Sequence, residues 1–313
     1  MTRVEQSEFR GRKAFLLSSD AAEAVFFTEF GAKLVSLRSK RNGHEFLTQG
    51  REDTHPTPLF DTPYVDNDLC GADDMFPSIN ECCYPTYPWQ GVRCPDHGEL
   101  WSIPWRVSAA ASSVDFETFG VRLPYRFQRR ATFTSDAVLR LDYSISNLAP
   151  FELHAIWAFH PLFEAERDAQ IVLPRGVTSV QNTLDFNNRL GAVGTIHSWS
   201  RTTDKRGDAY DLSRFQTDSG VCEKFWAVES LEEGAVQLLQ EPAAHSVTVR
   251  FPVDQVPYIG IWKNQGGLLG QNNVSIEPAT GALDDLAVSS AFGRSGTISP
   301  RDTVEFWLEI ELG

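Results

Sequence analysis

Positive charge is scarce in this chain. Its 313 residues hold 28 Lys and Arg against 42 Asp and Glu, a formal charge of −14, and the basic residues gather only in short groups such as Arg38-Ser39-Lys40-Arg41. A surface that neutralises nucleic-acid phosphates needs clustered cations, so nucleic acid is excluded as a partner and a small molecule is expected instead. No run of about eighteen apolar residues occurs, so a membrane is excluded as well. The opening Met1-Thr2-Arg3-Val4-Glu5-Gln6-Ser7-Glu8 carries acids where a secretion leader needs an apolar core. A cytoplasmic protein is the expectation, and Asn273-Val274-Ser275 then has no glycosylation machinery to meet. Cysteine is sparse and odd in number, at five, which favours reduced thiols over a disulfide framework. Cys82-Cys83 and Cys94-x-x-His97 offer soft metal ligands, but no second well-spaced pair completes a zinc set, and no metal is expected. Sustained helical periodicity is also missing, with Leu283 to Phe292 the one short candidate. Repeats, low-complexity tracts and Gly/Ser linkers are absent, so residues 1 to 313 read as one domain. Nothing in the sequence fixes an oligomeric state.

What remains is a chain of short strands. Leu139, Leu141, Tyr143 and Ile145 alternate with polar residues, as do Phe127, Arg129, Ala131 and Phe133 before them, and Thr134-Ser135-Asp136-Ala137 joins the two runs into an antiparallel hairpin. Val247, Val249 and Phe251 repeat the pattern. The plainest strand is the last, with Val304, Phe306, Leu308, Ile310 and Leu312 on one face. Asn42-Gly43 between Leu37 and Phe46 signals a two-residue hairpin turn. An all-β fold follows. Residues 51 to 89 are rich in Pro, Asp and Asn and read as a long irregular segment, ordered by its aromatic residues and fit to wall a cleft. Asp185 to Ser219 is polar enough to be an excursion from the sheets.

Polar groups concentrate inside apolar text at three places. Cys94-Pro95-Asp96-His97-Gly98-Glu99-Leu100-Trp101 sets an acid and an imidazole beside flat apolar side chains, as a sugar site requires. Trp157-Ala158-Phe159-His160-Pro161-Leu162-Phe163 and Asn273-Val274-Ser275-Ile276-Glu277-Pro278-Ala279-Thr280-Gly281 are the others. Each has a bland reading: His160 as a hydrogen-bonded core histidine, Glu277 as a solvated turn carboxylate, Asp96-His97 as a simple turn. Trp101, Trp105 and Trp157 read as core. Trp262, just ahead of the glycine-rich Gly266-Gly267-Leu268-Leu269-Gly270, is the tryptophan a loop can bring over a cleft, and those glycines lack the spacing and setting of a phosphate loop.

Together with Phe30-Gly31-Ala32-Lys33-Leu34 and Asp74-Met75-Phe76-Pro77, these motifs, in this order from about Phe9 to Leu312, resemble the aldose 1-epimerase (galactose mutarotase-like) family, as a divergent branch. The resemblance implies a large antiparallel β-sandwich with a sugar cleft on a concave face. It implies Glu277 as general base, an imidazolium at His160 as general acid, and His97 as the second histidine near the sugar ring oxygen, with no cofactor. Asp96, Trp262 and Arg93 are the candidate substrate contacts. A mid-chain acid that holds sugar hydroxyls falls among Asp204, Asp208 and Asp211. Two alternatives stay open: a hexose-6-phosphate 1-epimerase, in which Arg93 and Lys224 meet the phosphate, and a sugar-binding or sensor domain without catalysis.

Overall fold

The computed structural model describes residues 2–50, 55–67, 69–240 and 244–313. Strands dominate, and every pairing between them is antiparallel. The larger sheet runs, in spatial order, Arg3–Phe9, Arg12–Ser18, Ala22–Phe27, Leu34–Ser39, Ala72–Met75, Ala158–Pro161, Asn272–Ala279, Tyr258–Gln265, Val221–Ala227, Ser179–Asp185 and Ile196–Ser198, with Phe163–Glu164 added beside Asn272–Ala279. The smaller runs Gln170–Val172, Ala235–Gln240, His245–Arg250, Thr303–Leu312, Val138–Asn147, Tyr125–Ser135, Ser113–Phe119 and Arg106–Ala109.

The two sheets pack face to face over one continuous apolar core. The period of two puts Phe306, Leu308, Ile310 and Leu312 of the last strand inside, opposite Tyr143, Leu141 and Leu139 of its neighbour. The larger sheet supplies Phe225, Ile261 and Ile276, which lie in one row across three strands. One ion pair ties the sheets together: Arg129 Nη1 of the smaller sheet donates to Asp74 Oδ2 of the larger at 2.6 Å, both side chains fully buried.

The hairpin at residues 125–147 and the strand at 303–312 lie where the alternation puts them. The turn at Asn42-Gly43 differs. Its loop has four residues, 40–43, closed by Ser39 and His44, and Gly43 takes the left-handed conformation at its end. The expectation for residues 51 to 89, of which 51–54 and 68 lie outside the described residues, also needs correction. Ala72–Met75 is a strand at the centre of the larger sheet, buried on both faces. Its Asp73-Asp74 pair hides it from an apolar-pattern reading, because each carboxylate has a buried partner. The helical candidate shrinks to Leu286–Ala291, capped by Asp285, whose carboxylate accepts from the amides of Ala287 and Val288. The polar excursion holds a small ribbon, Arg201–Thr203 with Ala209–Asp211. Among the described residues no helix is long and apolar enough to cross a membrane.

Candidate active site

The site is built from one transverse row of the larger sheet. Asp73 pairs with His160, Glu277 with Gly260, and Gly260 with Trp226. The link between the two halves is the pair Ala158 and Ala279. Two residues further along these antiparallel neighbours, His160 and Glu277 fall side by side on the face turned away from the core. His160 Nε2 stands 4.0 Å from Glu277 Oε1. Gly260 has no side chain to fill the row, so the Trp226 ring lies over it; a Cβ there would meet that ring at 3.1 Å.

His97 arrives from outside the sheet, in a tight turn closed by the Gly98 amide donating to Pro95 O at 2.9 Å. Its own φ of 57° is unusual for a side-chain-bearing residue and marks a position the surroundings enforce. Asp96 is the strut. Its Oδ1 lies 2.8 Å from His97 Nδ1, and its Oδ2 accepts from the Tyr64 amide at 2.8 Å. The Tyr64 ring stacks on the His97 ring with centroids 4.1 Å apart, and the Tyr64 hydroxyl donates to Asp73 Oδ2, which also holds Lys33 Nζ at 2.9 Å. The His97 and His160 ring centroids are then 5.1 Å apart.

Around these groups lies a cleft of about 240 Å³. That is just below the range of drug-sized pockets and suits a single monosaccharide. Leu69, Ile79, Leu162, Leu184 and Leu268 line it with Trp262 and Phe186, whose rings meet edge to face at 6.5 Å. Trp262 Nε1 donates to Asn273 Oδ1 at 3.3 Å, leaving the indole face as wall.

Of the residues the sequence singles out, Glu277, His160, His97, Asp96 and Trp262 share this cleft. Arg93 does not. Its guanidinium is half exposed at another part of the surface, 2.8 Å from Glu81 and 3.5 Å from Asp61. Lys224 is in the cleft, but its Nζ is held by Glu277 Oε2 at 2.6 Å and Asp284 Oδ1 at 2.8 Å. Asp204, Asp208 and Asp211 all lie outside it: Asp204 caps a surface turn with the amides of Arg206 and Asp208, and Asp211 binds Ser213. The acids that line the cleft are Asp96, Glu277 and Asp284. Asp284 and Asp73 escape sequence reasoning, whereas Tyr64 is one of the aromatic residues of the segment expected to wall a cleft, and it does line this one. A signal existed for Lys224, since Glu223-Lys224 interrupts an otherwise apolar strand, and a charge buried there must have a partner. Glu223 faces the core and has its own, Lys263 at 2.9 Å and the Tyr210 hydroxyl at 2.6 Å.

Burial and charge set the protonation states. Burial pushes Glu277 up and Lys224 pulls it down, with a net position above the ordinary carboxylate value. Burial also drives His160 well below the ordinary imidazole value, helped by the positive fields of His97, Lys224 and Lys33. The resting His160 ring is therefore neutral at pH 7, which corrects the expectation of a standing imidazolium. Asp96 is raised by burial, but the hydrogen bond and charge of His97, with the amides of Tyr64 and His97, leave it below the usual carboxylate value. The five cysteines are free thiols. Cys82 and Cys94 face each other across a two-residue ribbon, and among the described residues no three His, Cys, Asp or Glu side chains form a group able to hold a metal.

The fold and the cleft define a β-sandwich with a buried carboxylate and two histidines at the bottom of a monosaccharide-sized pocket. Its likeness to solved structures names the fold. A galactose mutarotase-like protein from Lactobacillus casei superposes with a TM-score of 0.66 at 18% identity, covering 96% of this chain and 100% of its own. Slr1438 from Synechocystis gives 0.72 at 13%, covering 96% of each chain. A candidate aldose 1-epimerase from Klebsiella pneumoniae gives 0.70 at 13%, covering 99% of this chain and 83% of its own. The chain has the galactose mutarotase-like fold. No protein-family model and no curated protein sequence matches it.

Proposed function

We propose that the protein is an aldose 1-epimerase, interconverting the α and β anomers of a free aldose. The observation that carries this reading is the 4.0 Å approach of His160 Nε2 to Glu277 Oε1 on one face of the sheet. The hydroxyl and ring oxygens of a cyclic hemiacetal share one carbon, so an acid and a base that serve both must be near neighbours. Glu277 takes the proton of the C1 hydroxyl. The freed electron pair forms the carbonyl, the bond from C1 to the ring oxygen breaks, and that oxygen takes a proton from His160. Rotation about C1–C2 turns the other carbonyl face inward, and the reverse transfers close the ring. His97, braced by Asp96 and Tyr64, holds the ring oxygen. Trp262 and Phe186 cover apolar sugar surface.

The opposed protonation shifts fit this chemistry. A carboxylate raised by burial is a stronger base, and a histidine depressed by burial is a stronger acid in the minor fraction of molecules that carry the proton. The hexose-6-phosphate alternative has less support, because Arg93 is outside the cleft and Lys224 is already neutralised by two carboxylates. Polarimetry of freshly dissolved glucose, galactose and other aldoses tests the reading. Acceleration by the wild type is expected, with Glu277→Gln slower by roughly 10²- to 10⁴-fold at nearly unchanged KM. Saturable sugar binding with no acceleration would identify a binding or sensor domain instead.

A further inference from the structure

We propose that Lys224 and Asp284 form a positioning pair that fixes Glu277 in rotation and keeps it both ionised and basic, an inference that rests on the assignment of Glu277 as the base. Three observations carry it. The strand Val221–Ala227 is buried along its whole length, yet Lys224 projects from it onto the cleft face and reaches past Gly260 to Glu277. Lys224 Nζ binds one carboxylate oxygen only, Oε2 at 2.6 Å. The other, Oε1, makes no ion pair with Lys224 and stands 4.0 Å from His160 Nε2, where a hydroxyl proton would arrive. Asp284 in turn is anchored, its Oδ1 accepting from Trp226 Nε1 at 3.1 Å.

One ammonium between two carboxylates leaves a net charge of −1 on the three groups. When Glu277 accepts a proton, Lys224 and Asp284 remain as a neutral pair, so the base can load its proton without stranding a buried cation. Each partner therefore pulls Glu277 in its own direction. Lys224 favours the carboxylate, and Asp284 offsets part of that pull and keeps the carboxylate a useful base. The other charged or titratable groups facing Glu277 are His160 from Ala158–Pro161 and His97 from its turn, with Lys33 beyond His160. Neither histidine carries a standing negative charge that would replace Asp284.

The test is the titration of Glu277 in wild type, Lys224→Met and Asp284→Asn. It is read by carboxyl ¹³C NMR, with the Glu277 signal assigned by its loss in Glu277→Gln, and in parallel as the acidic limb of kcat/KM. An opposite charge at this range shifts a carboxylate by roughly 1–3 units, so Lys224→Met should move the titration up by that amount. At a pH below the new value, kcat should fall roughly tenfold per unit with little change in KM. Asp284→Asn should move the titration down and lower the plateau rate. Opposite directions are something a merely structural role would not produce. Unchanged titrations, or shifts in the same direction, overturn the proposal. If Lys224→Met does not fold, Asp284→Asn decides alone, and an upward shift or none overturns the pair. If the opposed shifts appear but Glu277→Gln mutarotates at the wild-type rate, the pair stands and the assignment of Glu277 as base fails.

Discussion

Replacing Arg129 by Met should be among the most destabilising single changes in the molecule. The methionine keeps an unbranched apolar stem among Phe26, Phe116 and Trp105, whose ring centroids lie 5.5, 4.7 and 5.8 Å from the guanidinium carbon. What it removes is the 2.6 Å pair with Asp74 and the hydrogen bond to the Ala32 carbonyl. Asp74 then stays buried, its Oδ2 without the guanidinium and its other oxygen, Oδ1, still accepting from Trp157 Nε1 at 3.0 Å. Breaking a buried pair in this way costs about 3–5 kcal/mol. An unfolding entropy of roughly 2.1 cal/mol/K per residue, applied to the whole chain, converts that into a fall in Tm of about 5–8 °C. Calorimetry on Arg129→Met and on Arg129→Met/Asp74→Leu measures it. The double variant should recover most of the loss, because it leaves no uncompensated charge, and the indole N–H that loses its acceptor costs only about 1–3 kcal/mol. The deficit should also narrow as pH falls. Burial already holds Asp74 above its ordinary value, and a carboxyl raised in the folded state is stabilising when protonated and loses that contribution as pH rises through its folded pKa. A single variant that melts with wild type, or a double variant worse than the single, would refute the argument.

The rate of mutarotation should peak on the acidic side of neutrality. Glu277 sits above the usual carboxylate value and His160 well below the usual imidazole value, so the base form of Glu277 is lost at low pH and the acid form of His160 is lost as pH rises, already below the ordinary imidazole value; a kcat/KM profile that stays flat or rises from about pH 5 to 8 would contradict this. Gly98→Ala should damage both stability and rate. A Cβ there would stand 2.1 Å from the Phe76 carbonyl oxygen at a φ of +73°, costing at least about 1–2 kcal/mol in backbone conformation alone and displacing His97; a variant with wild-type Tm and rate would show that the turn tolerates it. Arg93→Ala should leave kcat/KM unchanged, since Arg93 stands outside the cleft, paired with exposed Glu81 and part-buried Asp61, and a large rise in KM would bring Arg93 back as a substrate contact.

The sequence by itself determined the strands and the pieces of the cleft. Alternation of period two is a local property, so Leu139 to Ile145 and Val304 to Leu312 reveal which face they bury before any partner is known. The motifs around Asp96-His97, His160 and Glu277 are likewise local, since each is a polar group surrounded by apolar residues. Pairing is not local. His160 and Glu277 are neighbours because Ala158 pairs with Ala279, and Lys224 meets Glu277 because Gly260 stands between Trp226 and Glu277 in register. Only tertiary structure could give Arg93 to Glu81, bring Asp284 into the cleft while leaving Asp204, Asp208 and Asp211 outside it, and turn Ala72–Met75 into a central strand despite its two aspartates. It also decided charge. A histidine's protonation depends on how much water remains around it and which cations share the space, and the packing of Lys33, His97 and Lys224 about His160 exists only once the distant strands have come together.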